Sequence, residues 1–255
     1  MLLILIHGKT WKLPVQAAED TTPPVITVKI DGISVTADVL TSGANAIGGV
    51  TAVAFRLADN DAALSPDSTF KIDDVAIYSD TAGTVSVFTD DFESYADGYD
   101  LDQSPYSSAT SEAVVELRAD ATGGNGSTSG PGVSGNQIAI IRDTLGETVQ
   151  GTSNDGDTGE LRYVLPAAQL TGKLSVSFNK AANTTNINPQ DTDTDNKDAY
   201  ITLFNSANST SSSRAIADLR IQTNKFVLRD QTIDIANAFN PDTWQDVEIT
   251  LASGR

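Results

Sequence analysis

The sequence predicts an all-β protein, an antiparallel β-sandwich, and three observations support this prediction. Apolar and polar residues alternate in segments such as KLSVSFNKA, where Leu174, Val176 and Phe178 are separated by polar residues, with the two-residue period of a half-buried strand. Turn signals rich in glycine, aspartate and serine separate many short segments of this kind. No long segment shows the 3.6-residue spacing of an amphipathic helix.

The first part of the chain contains two predicted hairpins. In residues 24–40, the strands VITVKI and ISVTADVL flank Asp31-Gly32, a dipeptide that suits a type I′ turn. The strand TAVAFRLA follows, and then FKIDDVAIYSD and TVSVFT form a second hairpin across a glycine-containing turn. Each hairpin would supply neighbouring antiparallel strands to a sheet.

The rest of the chain continues as short strands. The segments are VVELRAD, NQIAIIRD, LRYVL, KLSVSFNKA, DAYITLF, AIADLRIQT, KFVLRD and WQDVEITL. Only AAQL and TIDIANAF suggest a helical turn. Strands that follow one another without intervening helices indicate an antiparallel sandwich and not an alternating α/β fold.

Charge and composition exclude several classes of function. The chain has 255 residues, 34 acidic against 16 basic side chains, a net charge of −18 and no cysteine. Nucleic acids need lysine and arginine for their phosphates, so we expect no nucleic-acid partner, and no disulfide or cysteine-bound zinc. The apolar start MLLILI is too short to cross a bilayer, so we expect no membrane insertion and expect any export signal to lie outside this chain.

Two similar segments near the chain ends suggest a repeat. TWKLPV, from Thr10, resembles TWQDV, from Thr243, at a spacing of about one large sandwich domain; chance similarity is the alternative. A repeat cut in its middle would make residues 1–80 the C-terminal part of one unit and residues 81–255 the N-terminal part of the next. The two parts would then pack as one sandwich, as a circular permutant, beside neighbouring repeats of a larger chain.

The segments at this boundary carry a family resemblance. DDFESYADG, which opens a unit, and FKIDDVAIYSD, which closes one, resemble the ends of concanavalin A-like (LamG-like) and carbohydrate-binding-module domains. Such β-jelly-roll modules are attached to secreted bacterial polysaccharide-active and adhesin proteins. The resemblance implies a jelly-roll sandwich and an extracellular or cell-surface location.

The same boundary predicts a calcium site. Two adjacent predicted strands carry Asp73 with Asp74 and Asp90 with Asp91, and Glu93 follows two residues later. Carboxylates this close repel one another unless a cation lies between them. In modules of this kind, acids of the first and last strands often hold a structural calcium. The resemblance therefore implies Ca²⁺ bound by Asp91 and Glu93 with Asp73 or Asp74; the alternative is a set of solvated strand ends.

A second acidic segment resembles the start of an EF-hand loop. Residues 191–198 read DTDTDNKD. Asn196 stands where the loop needs glycine, and Thr202 stands where it needs glutamate. An ion site and an ordinary acidic loop both remain open for this segment.

The residue inventory does not predict catalysis. His7 is the only histidine, so neither a Ser-His-Asp triad nor a histidine zinc site is expected. The strand from Asn136 to Ala139 has alanine where alginate-lyase-like sandwiches carry histidine. Carboxylate pairs leave glycoside hydrolysis open by residue type, but we expect a protein that is not an enzyme.

Binding of a polysaccharide needs aromatic rings and polar groups on an exposed face. In AIADLRIQT, alternation places Arg220 on a polar face of its strand. Arginines in so acidic a chain would suit acidic polysaccharides, although pairing with the many acids as surface salt bridges is the alternative. The candidate ligand-binding residues are Arg162, Tyr163, Tyr200, Arg220 and Arg229, with Trp244 as a further aromatic that is more typical of a core.

Together these observations favour a non-catalytic carbohydrate-binding or adhesion module of a larger extracellular bacterial protein, stabilised by calcium. A structural spacer repeat without a ligand, and a fragment of a polysaccharide lyase or glycoside hydrolase, are the alternatives. Glycan binding would distinguish the binding module from the spacer repeat. Turnover of acidic polysaccharides would identify the enzyme fragment.

Overall fold

The computed structural model describes residues 3–6, 9–12, 24–34, 39–40, 48–58, 68–101, 103, 105–107, 113–117, 136–143, 158–181, 198–208, 214–222, 226–228, 231–233 and 240–253. In this part of the chain the regular structure is β-strand without α-helix. Antiparallel pairing assembles the strands into two large sheets and one two-stranded hairpin. The predicted all-β sandwich is confirmed at this level.

The strands, in chain order, are β1 (Leu3–Ile6), β2 (Lys9–Lys12), β3 (Val25–Ile30), β4 (Ile33–Ser34), β5 (Val39–Leu40), β6 (Val50–Ala58), β7 (Ser68–Tyr78), β8 (Ser86–Asp90), β9 (Tyr106–Ser107), β10 (Ala113–Leu117), β11 (Gln137–Asp143), β12 (Thr158–Gln169), β13 (Gly172–Lys180), β14 (Asp198–Phe204), β15 (Ala215–Ile221), β16 (Phe226–Leu228), β17 (Gln231–Ile233) and β18 (Gln245–Ala252). The nine-stranded sheet has the order β10-β11-β7-β13-β18-β3-β4, with β5 also on β3 and β8 also on β7. The seven-stranded sheet has the order β17-β16-β15-β14-β6-β12-β9.

Strands from the first part of the chain lie inside both sheets. β6 lies between β14 and β12, and β7 lies between β13 and β11. β3 pairs with β18, so that Val25 faces Ala252 and Ile30 faces Val247. Strands from residues 24–78 and strands from residues 86–252 therefore share both sheets. Whether this arrangement is a permuted repeat stays a prediction.

The apolar core lies between the two sheets because alternate residues of each strand face inward. In β18 buried and half-buried residues alternate along the whole strand, as the sequence pattern predicted. β13 places Val176 and Phe178 in the core, and β14 places Ile201 and Leu203 there from the opposite sheet. All seven residues of β14 are buried. The side chains on both faces of this strand are therefore shielded from solvent.

Both predicted hairpins are present. Asp31 and Gly32 have φ values of 50° and 76°, the positive values that a type I′ turn requires, and they join β3 to β4. β7 pairs with β8 in the second hairpin. The turn there is held by the Asp80 carboxylate, which accepts hydrogen bonds from the backbone amides of Thr84 and Val85, both at 2.9 Å.

One predicted local structure is wrong. The segment AAQL does not form a helical turn, because residues up to Gln169 belong to β12. The pairing of β12 with β6 shifts register between Val164 and Gln169, and this irregularity explains why the segment lacks a clear strand pattern. Of TIDIANAF, residues up to Ile233 belong to β17, and the remainder lies outside the described residues. The described part contains no helix that is long and apolar enough to cross a membrane.

Candidate functional site

The predicted calcium residues lie where β7 changes its neighbour. One edge of β7 pairs with β11 up to Ile72 and with β8 from Val75 onward. Asp73 and Asp74 lie between these two pairings, at the point where the register of β7 with β13 also shifts. Asp74 has φ of 50°, which is the left-handed conformation typical of a bulge residue. We call this place the carboxylate junction and define it by Asp73, Asp74, Asp91 and Glu93.

Two acids of the junction hold the start of β11. The Asp73 side chain is buried, with 1% of the residue exposed. Its Oδ1 accepts from the Asp74 amide at 2.9 Å, and its Oδ2 accepts from Asn136 Nδ2 at 3.4 Å. Glu93 Oε1 accepts from the Gln137 amide at 2.9 Å. Asp73 and Glu93 therefore anchor two consecutive residues, Asn136 and Gln137, at the point where β11 begins.

Asp91 of the junction and its neighbour Asp90 shape the turn after β8. Asp90 Oδ1 accepts from the Phe92 amide at 2.8 Å, and Asp90 Oδ2 accepts from the Tyr95 hydroxyl at 2.9 Å. Burial, followed by the nearby Asp90 carboxylate, raises the pKa of Tyr95. Asp91 Oδ1 accepts from the Glu93 amide at 3.2 Å. Phe92 is fully buried with φ of 58°, so these bonds hold a turn that carries an aromatic side chain into the core.

The junction does not present a complete metal cage. Among the residues that the structure describes, no group of three or more His, Cys, Asp or Glu side chains is arranged to hold a metal ion. The junction contains several carboxylate groups, whose oxygens are hard donors of the kind that calcium prefers. For the second acidic segment, only Asp198 lies within the described residues.

An open groove adjoins the junction on the outer face of the nine-stranded sheet. Its volume is about 590 Å³, within the range of about 300–1,000 Å³ that is usual for ligand sites. Thr89, Ala76, Ser175 and Glu248 are cross-strand neighbours on β8, β7, β13 and β18 and form its central row. The residues that line it are Gly32, Asp74, Val75, Ala76, Tyr78, Thr89, Asp90, Asp91, Ser175, Ser177, Asp246 and Glu248.

Hydrogen bonds fix several polar groups around this groove. Ser177 Oγ donates to Asp246 Oδ1 at 2.6 Å. Lys173 Nζ lies 2.6 Å from Glu248 Oε1, and Lys29 Nζ lies 3.6 Å from Glu248 Oε2. The hydrogen bond from Lys173 lowers the pKa of Glu248; burial opposes this shift, and the charges of both lysines add to it. Glu248 is therefore a charged acceptor at the groove wall.

The outer face of the seven-stranded sheet carries a row of charged residues around one tyrosine. Cross-strand pairing places Glu160, Arg56, Tyr200 and Arg220 next to one another on β12, β6, β14 and β15. The Arg56 and Arg220 guanidinium carbons lie 5.8 and 5.5 Å from the centre of the Tyr200 ring, within the range of a cation–π contact. We call this surface the arginine–tyrosine face and define it by Arg56, Glu160, Arg162, Asp198, Tyr200 and Arg220.

The arginines of this face are paired with acids of the same face. Glu160 accepts from Arg162 Nε at 2.9 Å and from Arg162 Nη2 at 3.1 Å, and lies 3.3 Å from Arg56 Nε. Arg220 Nε and Nη2 both lie 2.6 Å from Asp198 Oδ2. Only 3% of the Glu160 side chain and 1% of the Asp198 side chain are exposed. The structure therefore pairs these arginines with buried acids, whereas the alternative drawn from the sequence was surface salt bridges.

Burial shifts the pKa values of Asp198 and Lys180. Burial raises the pKa of the Asp198 carboxyl above its usual range, against the opposing charge and hydrogen bond of Arg220. Burial also lowers the pKa of the nearby Lys180 to about 8 despite the charges of Asp198 and Asp242. These groups are held in a poorly solvated region at one end of the sandwich.

The predicted ligand-binding residues are brought together only in part. Arg162, Tyr200 and Arg220 share the arginine–tyrosine face. Tyr163 points to the other side of β12, where its ring stacks on Phe88 with centroids 3.9 Å apart, so it packs against the core. Arg229 lies outside the described residues. Trp244 is 5% exposed and packs with Ile138 and Ile140, so its ring is a packing residue and not an open platform.

Sequence reasoning missed Arg56 and Glu160. Arg56 lies in the predicted strand TAVAFRLA, and Glu160 directly precedes the predicted strand LRYVL. Strand alternation could have assigned each to a polar face. Their pairing could not be predicted, because it depends on which strands are neighbours and in what register.

Comparisons with known proteins give no independent guide to this site. No protein-family model, curated protein or solved structure matches this chain.

Proposed function

We propose that this chain is a non-catalytic carbohydrate-binding or adhesion module of a larger extracellular protein, and that its glycan lies in the groove of the nine-stranded sheet. The observation that carries the proposal is the open groove of about 590 Å³. Its lining combines the hydroxyls of Tyr78, Thr89, Ser175 and Ser177 with several carboxylates. Sugars present many hydroxyl groups, and such groups pair well with a wall of hydroxyl and carboxylate oxygens.

The groove is better suited to a glycan than the arginine–tyrosine face. Tyr200 is 9% exposed, which leaves little ring surface for stacking on a sugar. The guanidinium groups of Arg162 and Arg220 are already bound to Glu160 and Asp198. A ligand on that face would have to break charge-assisted hydrogen bonds, whereas Ala76 and Ser175 leave room for a ligand above the nine-stranded sheet.

We further propose that Ca²⁺ stabilises the carboxylate junction. Asp73 is a buried carboxylate at the start of this junction, and its Oδ2 lies 3.4 Å from Asn136 Nδ2. Asp91 and Glu93 lie in the adjoining turn and supply further oxygens. These donors fit calcium, and the bound ion would supply positive charge among acids that otherwise repel one another. We also propose that the sandwich has jelly-roll topology and is a permuted repeat, with neighbouring repeats of a larger chain as its partners.

A bulky side chain in the groove tests where the glycan binds. We expect Ala76→Trp to abolish glycan retention in affinity electrophoresis over a panel of polysaccharides, because the indole would fill the space above β7. Val164→Trp is the matched control, since Val164 is 41% exposed on the other sheet. Thermal melts of both variants report whether each is folded.

Three outcomes would contradict the proposal. Retention that survives Ala76→Trp would remove the ligand from the groove. A folded wild-type chain that binds no polysaccharide would favour the spacer repeat. Release of unsaturated or reducing sugar ends from any polysaccharide in the panel would favour the lyase or hydrolase alternative.

A further inference from the structure

One end of the sandwich presents apolar side chains to solvent. β7 ends there at Tyr78, β12 ends there at Gln169, and β13 begins there at Gly172. In the part of the chain that the structure describes, four large apolar side chains are well exposed, and two of them, Val85 and Leu170, lie in the turns at this end. We call this surface the apolar end and define it by Val85, Leu170 and the cavity behind them.

That cavity lies between the two sheets, directly beneath the turns, and its volume is about 30 Å³. Its walls are almost wholly apolar and include Val50, Leu165, Leu174 and Leu251, together with Gly172 at the start of β13. A space of this size could hold a water molecule, but a water there would lack the polar partners that it needs. The core therefore ends in a hollow that suits an apolar group.

The N-terminal segment leaves the sandwich at this same end. β3 begins at Val25, which pairs with Ala252 at the end of β18. Leu251 of β18 pairs with Gly172, and both residues line the cavity. Residues 13–24 connect β2 to β3, and an extended chain of this length reaches about 40 Å. The β1–β2 hairpin is therefore tethered at the apolar end.

The β1–β2 hairpin has an apolar face that it cannot cover by itself. β1 reads LILI, and the pairing places Ile4 opposite Trp11 and Ile6 opposite Lys9. Because cross-strand partners lie on the same face of a hairpin, the positions of Ile4, Ile6 and Trp11 share one face. β1 and β2 form a sheet of their own and pair with no other described strand. A two-stranded hairpin needs a further apolar surface to be stable in water.

From these observations we infer that the β1–β2 hairpin docks on the apolar end of its own chain, with the face of Ile4, Ile6 and Trp11 against Leu170. The docked hairpin covers the mouth of the cavity and removes Val85 and Leu170 from water, and this burial of apolar surface drives the contact. The tether makes the contact intramolecular, so the effective concentration of the hairpin at this end is high. The inference does not depend on the proposed function.

Fluorine NMR of the full chain, labelled with 5-fluorotryptophan, tests this docking. The chain has two tryptophans, Trp11 and Trp244, and the variant Trp11→Phe assigns their signals. Trp244 is 5% exposed, so its signal is an internal standard for a buried ring. We expect the change in chemical shift between H₂O and D₂O to be small for both rings, because the docked hairpin shields Trp11 from solvent.

Exposed apolar residues at the two ends of the sandwich provide a variant and its matched control. Leu170→Asp places a charge in the docking surface, so the solvent isotope shift of Trp11 should rise several-fold, to that of free tryptophan. Ile33→Asp makes the same change on a residue that is 70% exposed at the opposite end, and it should leave the Trp11 signal unchanged. Val85→Asp is a second variant of the apolar end, and an unchanged Trp244 signal shows that each variant is folded.

Three results would overturn the inference. A Trp11 ring as exposed as free tryptophan in the unmodified chain would show that the hairpin does not dock. Equal effects of Leu170→Asp and Ile33→Asp would show that the hairpin does not lie on the apolar end. A Trp11 signal that becomes exposed on dilution, with the mass of a dimer in light scattering at high concentration, would assign the surface to a second copy of the chain. Shielding of Trp11 that is independent of concentration and is lost only in the variants of the apolar end supports docking within one chain.

Discussion

Two glutamates show how burial changes the contribution of an ion pair to the stability of the fold. Glu160 and Glu248 each contact two basic residues, from their own or a neighbouring strand, on the outer face of a sheet. The exposed fraction of the side chain is 3% for Glu160 and 29% for Glu248. A buried ion that loses its partner is left with an uncompensated charge, whereas an exposed one is solvated by water.

This difference predicts unequal effects of the same substitution. We expect Glu160→Gln to lower the free energy of unfolding by about 3 kcal/mol or more, because it leaves the buried guanidinium of Arg162 without its carboxylate. We expect Glu248→Gln to lower it by less than about 1 kcal/mol. Urea unfolding at neutral pH and moderate salt measures both. Equal losses would show that the arginine–tyrosine face is solvated and that its ion pairs do not support the fold.

At the level of single elements, the sequence predicted strands far better than their partners. The two-residue period of KLSVSFNKA and WQDVEITL is a local property, and both segments form strands that pair with each other. The Asp31-Gly32 turn could be predicted because only a few dipeptides adopt two consecutive positive φ values. The register irregularity in β12 hid the end of that strand, and AAQL was interpreted as a helical turn.

The sites were less predictable than the strands because they depend on long-range pairing. The acids of the carboxylate junction are close in sequence, so they could be found together. Their neighbours Asn136 and Gln137 lie at the start of β11, which only the sheet order places there. The groove likewise requires β8, β7, β13 and β18 to be neighbours in one register, and no local pattern encodes that order.

The position of β6 and β7 predicts how the chain behaves when it is divided. Both strands are inside a sheet, so a fragment of residues 81–255 would lose the centre of each sheet and expose unpaired strand edges. We expect this fragment to be insoluble or to unfold without cooperativity. Coexpression with residues 1–80 should restore a soluble complex that melts cooperatively, as measured by circular dichroism and size-exclusion chromatography.

The control for this experiment is the whole chain cut by a protease at a site inserted after Asp80. The cut lies in the turn between β7 and β8, and the nicked chain should stay associated. If residues 81–255 alone unfold with the stability of the whole chain, the shared-sheet arrangement does not support the fold, and residues 1–80 form a separate unit.

At the scale of the whole molecule, charge makes stability depend on cations. The chain carries −18, and the carboxylate junction concentrates several acids where β7, β8 and β11 meet. Folding brings these acids together, so their repulsion raises the free energy of the folded state more than that of the expanded chain. A cation that binds only the folded state adds its binding free energy to stability, about 2.7 kcal/mol when its free concentration is 100 times Kd.

We therefore expect EDTA to lower the melting temperature by several degrees, and millimolar Ca²⁺ to restore it better than equal Mg²⁺. Extracellular calcium sites work with Kd values of about 10⁻⁴ to 10⁻³ M, and a loss of about 1 kcal/mol shifts the melting temperature of a chain of this size by roughly 2–4 °C.

Glu93→Gln should blunt the response to calcium, because it removes one charged donor and keeps an oxygen for the Gln137 amide. Asp193→Asn is the matched charge change in the second acidic segment and should leave the response unchanged if the junction is the main site. A melting temperature indifferent to EDTA and to calcium would exclude a structural calcium site of useful affinity. The hydrogen bonds of Asp73 and Glu93 to Asn136 and Gln137 would then be the whole role of the junction.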